Sequence, residues 1–233
     1  MDPRDELLGL YELFPFHKHP LWTAIHRNDL TYQQVIDAEV QHWIRTRAGR
    51  VLREQAMKMA QKVSVPVFEQ LMETYLEECT NDSTGPSHLE LIEHLVIQGG
   101  KTKPELERAE ATPGNAAAIA LYAAISERGA GCHLVGAGAV EHYYCRLTPQ
   151  IFSDYTTFYG MSEVQARTYE IHGAMDQVHA DRAFSVLDEV VNLHGWEEVK
   201  RSVRDAFAAT SLHYDGMLQA ATGENSYWNG RSR

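Results

Sequence analysis

No stretch of this 233-residue chain alternates apolar and polar residues with the two-residue period of a strand, and no hairpin dipeptide separates two apolar runs. What recurs is helical periodicity between compact breakers. In DLTYQQVIDAEVQHW, Thr31 is placed to cap a helix on which Val35, Ile36, Val40, Trp43 and Ile44 recur at helical spacing. That pattern runs to about Val63, where Ser-Val-Pro breaks it. PVFEQLMETYLEECT follows, with Val67, Leu71, Tyr75 and Leu76 along one stripe, and stops at the turn cluster NDSTGPS. Ser87 caps HLELIEHLVIQ, which Gly99-Gly100 closes. A polar, proline-containing connection, a loop with room for one helical turn, leads to an Ala-rich segment that the Gly129-Ala130-Gly131 step breaks or kinks, then to a helix begun at Thr148-Pro149 and ended by Gly160. These patterns predict an all-α fold: one domain over residues 1–233, a bundle of seven to nine helices with a frayed tail from about 221.

Charge and cysteine usage narrow the partners. A formal net charge of −11, with no block of Lys and Arg, argues against nucleic acid and against an anionic membrane surface. No apolar run approaches the length of a membrane span, and MDPRDELLGL lacks the basic-then-apolar pattern of a signal peptide. Cys79, Cys132 and Cys145 are odd in number and lack CxxC spacing, which fits a reducing compartment. The expectation is a cytoplasmic protein.

The chemistry concentrates in residues 167–182, RTYEIHGAMDQVHADR. His172, Asp176 and His179 stand at i, i+4 and i+7, within roughly 60° of one another on a helix. Two imidazoles and a carboxylate form a mixed N/O ligand set suited to iron, manganese or zinc. Ser162 and Gln165 read as a capping box for this helix. The other walls of such a site come from inward-facing carboxylates and histidines on other helices. Glu141 lies between GAGAV and HYY, a nearly uncharged stretch where a carboxylate is costly unless paired or metal-bound. Glu78 ends a helix beside Tyr75 and Leu71, and His88 opens the next one across the turn cluster. Glu77 competes with Glu78, since adjacent residues do not face the same way, and Glu78 is preferred. Three carboxylates and three imidazoles suffice for two metal ions with open positions.

The order E-x9-H, then Glu141, then H-x3-D-x2-H resembles the haem-oxygenase-like diiron oxidases and oxygenases, which share their fold with thiaminase II and pyrroloquinoline quinone synthase. HPLWTAIHRNDLTYQQV is similar to the first helices of that superfamily, so the resemblance covers essentially the whole chain. It implies two Fe(II) ions on Glu78, His88, Glu141, His172, Asp176 and His179, with O2 as co-substrate and a peroxo-diferric species that attacks a small molecule. An amino acid or derivative is the leading substrate by analogy, through C–C cleavage, desaturation or N-oxygenation. An external electron donor and a homodimeric assembly are also implied. Members that make para-aminobenzoate from their own tyrosine carry a lysine shortly after the middle Glu. Residues 142–151, HYYCRLTPQI, contain none, which argues against that reaction.

Other residues keep alternatives open. Glu39-x-x-His42 has the ferritin-like ExxH spacing, and a ferritin-like site would draw on Glu12, Glu39, His42, Glu141, Asp176 and His179. In the preferred arrangement Glu39, His42, Tyr144 and Tyr169 line the substrate pocket. Small residues from Gly136 to Ala139 mark a close helix–helix seam just before Glu141. Gly-x-Ser-x-Gly and a glycine-rich phosphate loop are absent, against a serine hydrolase or a nucleotide enzyme. Two rival functions remain: a cofactor-free thiaminase-like or quinone-biosynthesis enzyme on the same fold, and a non-catalytic helical interaction protein.

Overall fold

The computed structural model describes residues 2–80 and 85–230. Within them the chain is all-α, with no strand, and eleven α-helices follow in order: α1 Pro3–Gly9, α2 Pro20–His26, α3 Tyr32–Ala60, α4 Val65–Cys79, α5 His88–Gln98, α6 Lys103–Arg108, α7 Pro113–Arg128, α8 Ala130–Thr157, α9 Arg167–Ser185, α10 Leu187–His194 and α11 Trp196–Thr222. Much of the turn cluster expected between α4 and α5, residues 81–84, lies outside the described residues. No helix among the described residues is long and apolar enough to cross a membrane.

The count exceeds the seven to nine expected, for local reasons. No apolar period announces α1, but Asp2 caps it and Pro3 opens it. A Thr102–Glu105 capping box makes part of the polar connection helical as α6. Gly129, at φ +145°, separates α7 from α8 outright. In the opposite sense, the helix expected to begin at Thr148-Pro149 is the second half of α8. Pro149 removes one backbone N–H there, yet its ring packs on α9, where a Cβ added to Gly173 would stand 3.4 Å from Pro149 Cγ.

Most predicted faces are found. Thr31 caps α3 in a full capping box with Gln34, and Val35, Ile36, Trp43 and Ile44 are buried while Val40 is half-buried. Val67 and Leu71 are buried on α4, but Leu76 is exposed, lying about 100° round the helix from Tyr75. The tail is tied down where fraying was expected. α11 itself runs to Thr222, the Trp228 N–H donates to Asp215 Oδ1 at 2.8 Å, and the Gln219 amide donates to the Ser226 carbonyl at 3.0 Å.

The α8–α9 seam positions the site. A Cβ on Gly138 would stand 2.4 Å from the Ala183 Cβ, so only the smallest pair fits where the two helices cross. Glu141 follows one turn later on the same face of α8. Helix α3 runs alongside and contributes a stripe that contains Glu39, His42, Gly49 and Arg53.

Candidate metal centre

Helix α9 carries three of the candidate ligands, and His172, Asp176 and His179 are all buried. The capping box expected from Ser162 and Gln165 does not start this helix. Ser162 Oγ accepts the Gln165 N–H at 3.1 Å in a turn that precedes Arg167. The Gln165 amide donates instead to Tyr32 Oη at 2.9 Å and to the Leu95 carbonyl at 3.1 Å, so tertiary partners hold it away from the helix end.

All six sequence-predicted ligands converge, as two trios. Glu78, His88 and His172 form one; Glu141, Asp176 and His179 form the other. Within each trio, one donor atom from every residue lies within 4.8 Å of the others. The trios abut: His179 Nδ1 is 3.8 Å from Glu78 Oε1 and 3.9 Å from Glu141 Oε1. Thus α4, α5 and α9 build one half-site, and α8 and α9 build the other.

Outer partners fix which nitrogen faces inward. The His172 Nδ1–H donates to the Thr168 carbonyl at 2.6 Å, which turns Nε2 to the cluster, 3.4 Å from Glu78 Oε1. The His179 Nε2–H donates to Glu77 Oε2 at 2.9 Å, leaving Nδ1 toward the cluster. Arg182 grips Glu77 in turn, at 2.7 and 3.2 Å, and holds its carboxyl below the ordinary range. Glu77 and Glu78 are therefore not rivals. Adjacent helical residues diverge by about 100°, so α4 sends Glu78 into the cluster and Glu77 to the far side of the His179 ring.

A cation fits this donor set. His172 Nε2, Asp176 Oδ2 and His179 Nδ1 are buried side-chain atoms with no hydrogen-bond partner. Each such orphan costs about 1–3 kcal/mol, and three from one helix converge here. A divalent ion in each trio would satisfy them with ordinary ligand chemistry.

Imidazole protons and the Arg53 guanidinium place positive charge beside these carboxylates. Burial pushes the Glu78 carboxyl up, but His88 and His172 outweigh it and hold Glu78 well below its usual value. Burial lowers His172, yet Glu78 and then Asp176 pull it up to about 9. His88 falls to about 3, through burial and then the neighbouring His172 charge. Burial raises Asp176 well above the carboxylate range, and Glu141 and Glu78 add to this against His172. Arg53 spans both trios, with Nη1 3.5 Å from Glu78 Oε2 and Nη2 3.6 Å from Glu141 Oε1.

Beside the trios lies a cavity of about 140 Å³, lined by both ligand groups, His42 and Tyr144 among others. Glu39 and Tyr169, expected in that lining, stand behind it. Glu39 is fully buried and accepts from Tyr155 Oη at 2.5 Å and Tyr169 Oη at 2.6 Å, with His42 Nδ1 at 3.0 Å. A buried carboxylate needs such partners, and they hold it off the cavity. The ferritin-like arrangement does not form, since Glu12 is exposed and Glu39 is engaged in this network.

Sequence reasoning missed Arg53, Arg182 and Tyr155. Arg53 had a signal: it continues the Glu39–His42–Gly49 face of α3. Arg182, three residues past His179, and Tyr155 carry none, because their partners come from distant helices.

No protein-family model matches this sequence, and no curated protein matches it. Solved structures do. A CADD-like protein of unknown function from Nostoc punctiforme aligns with a TM-score of 0.75 and 14% identity, over 97% of this chain and 100% of that one. A domain of unknown function with a heme oxygenase-like fold from Shewanella denitrificans gives 0.74 and 13%, over 99% and 93%. A TenA family transcription regulator from Silicibacter gives 0.70 and 12%, over 94% and 95%. At these identities the likeness is one of fold, and the chain has the haem-oxygenase-like all-α fold.

Proposed function

We propose that this chain is an O2-dependent non-haem diiron oxidoreductase acting on a small molecule. An amino acid or derivative is the substrate by analogy, through C–C cleavage, desaturation or N-oxygenation. One observation carries the reading: three orphaned, buried donor atoms inside two abutting trios of His and carboxylate, beside a cavity. When bound, an iron pair supplies Lewis acidity and the electrons that reduce dioxygen.

The chain's own residues do the rest. Glu78, His88 and His172 would hold one ion; Glu141, Asp176 and His179 would hold the other. Thr168 and Glu77 keep the imidazole lone pairs aimed inward. Leu52, Leu89, Ile119 and Val140 give the cavity an apolar wall that limits water. Tyr144 lines it as an O–H donor, because burial, then the charges of Glu39 and Asp176, keep its phenol protonated. A homodimer, an external electron donor and a cytoplasmic setting belong to the same proposal.

Anaerobic titration of metal-free protein with Fe(II) tests it. Two irons should bind per chain, and Glu141→Ala should lose one. Mixing the loaded protein with O2 and candidate amino acids should consume O2 and give a transient visible band. Weak or absent iron binding, with full activity in chelator, would overturn the reading in favour of the cofactor-free one.

A further inference from the structure

Three histidines outside both trios also line the cavity: His42 on α3, His133 on α8 and His213 on α11. None is more than 5% exposed. Each is tied at Nδ1 to a partner that does not itself line the cavity, which turns the Nε2 edge of the ring toward it. The His213 Nδ1–H donates to Asn115 Oδ1 at 2.9 Å, and the Asn115 amide nitrogen, which donates to the Gln41 carbonyl at 2.9 Å, fixes that oxygen as the acceptor. Ser126 Oγ donates to the Tyr122 carbonyl at 3.1 Å, so it accepts the His133 Nδ1–H at 2.7 Å. The His42 Nδ1–H donates to Glu39 Oε2 at 3.0 Å. A neutral imidazole with its proton on Nδ1 keeps a lone pair on Nε2. Among the described residues none of these three Nε2 atoms finds a hydrogen-bond partner.

The wall accepts hydrogen bonds without carrying charge. Burial, then the Arg45 charge, holds His213 well below its usual value. Burial, then the Arg53 charge, pushes His133 down to about 3. The same guanidinium charges repel an ammonium group from this wall. A carboxylate has no proton to offer it. Nor is it a third metal site, because the clusters that could hold an ion among the described residues are the two trios. His42 and His213 stand side by side, with ring centroids 5.8 Å apart, and Leu89, Ile119 and Val140 add apolar surface to the same cavity.

We propose that the cavity's occupant is an uncharged molecule that donates hydroxyl or primary-amide hydrogens to this imidazole wall and lays its apolar remainder on the aliphatic side chains. This names the substrate class for the oxidoreductase reading and rests on it for the chemistry, though not for the binding. At about 15 Å³ per water-sized unit the cavity takes on the order of ten non-hydrogen atoms. An amino-acid derivative qualifies through a hydroxyl or a carboxamide. His133 and His213 are the specificity-determining residues, since a donor buried against a wall without acceptors is left unpaired.

Calorimetry at pH 8 tests this on full-length protein, iron-free and anaerobically loaded with Fe(II). The probes are hexane-1,2-diol, hexanamide and their methylated counterparts, 1,2-dimethoxyhexane and N,N-dimethylhexanamide. Methylation keeps the oxygens that an arginine donates to and removes the hydrogens that an imidazole accepts. The diol and hexanamide should bind both forms, and the methylated probes about tenfold more weakly. Octane-1,2-diol, which matches the ether in size, should bind like the shorter diol, and hexylamine should not bind measurably. His213→Phe, which keeps a ring and loses the acceptor, should weaken the diol about tenfold with iron stoichiometry unchanged. His213→Gln, which keeps an acceptor, should restore part of the loss. Equal binding of the diol and its dimethyl ether, or of the diol by wild type and His213→Phe with both folded by circular dichroism, would overturn the proposal. Donor-dependent binding where no iron binds leaves the wall standing and fails the diiron reading; iron binding with no preference for donors fails the wall alone.

Discussion

Two buried polar clusters meet around His42, and they are built on opposite rules. In the Glu39 cluster both tyrosine hydroxyls find a carboxylate oxygen and the His42 ring finds both Glu39 and Tyr169. In the two trios, His172 Nε2, Asp176 Oδ2 and His179 Nδ1 find none. His42 stands between them, its ring 5.5 Å from that of His88. Both clusters contain histidine, carboxylate and nearby tyrosine, so composition does not separate them; hydrogen-bond completeness does. A satisfied cluster holds a fold together, whereas aligned orphans are groups that a bound cation would satisfy.

The largest expected effect is on the satisfied side. Glu39→Ala leaves two buried phenols and an imidazole without their acceptor and should cost about 3–5 kcal/mol. For a chain of this size that lowers Tm by roughly 10 °C, while both iron sites still fill. A variant that loses iron before it loses stability would break the contrast. Asp176→Asn is its mirror image. It removes a ligand charge and a crowded acid, so iron affinity of that trio should drop at least ~100-fold, while the Tm of metal-free protein stays level or rises. A fall of several degrees would mean that Asp176 is structural.

Glu77→Gln sharpens the boundary between the clusters, because Glu77 touches no candidate ion and acts through the His179 ring. Iron affinity should fall about 10-fold, with little change in metal-free Tm. Unchanged affinity would show that the ring is oriented by packing alone. The pH dependence changes no residue at all. His172 must be neutral to bind an ion, and its raised value of about 9 means that a proton competes throughout the neutral range. Iron affinity should therefore climb as pH rises toward 9, by about tenfold per unit for one displaced proton. A flat profile measured anaerobically between pH 6 and 8 would contradict that competition.

Much of the site was legible because a helix converts spacing into direction. His172, Asp176 and His179 follow one face of α9 whatever the tertiary context, and the uncharged neighbourhood of Glu141 marked it as an inward carboxylate. Glu39 and Tyr169 were placed one layer too far forward, since spacing gives the face but not the depth. Pro149 was taken as a helix start because propensity is local, and the packing against Gly173 that carries α8 through it is not.

By itself, then, the sequence determined the helical class, the boundaries of α3, α4 and α5 to within a few residues, and the six side chains that converge. Only the tertiary structure decided how those six divide into trios. It also put Glu77 behind His179 and set Arg53 between Glu78 and Glu141. The physical reason is range. Periodicity records how each helix presents its own residues, while ion pairs and orphaned donors depend on which helices pack together and at what depth, and that is settled only when the whole core is assembled.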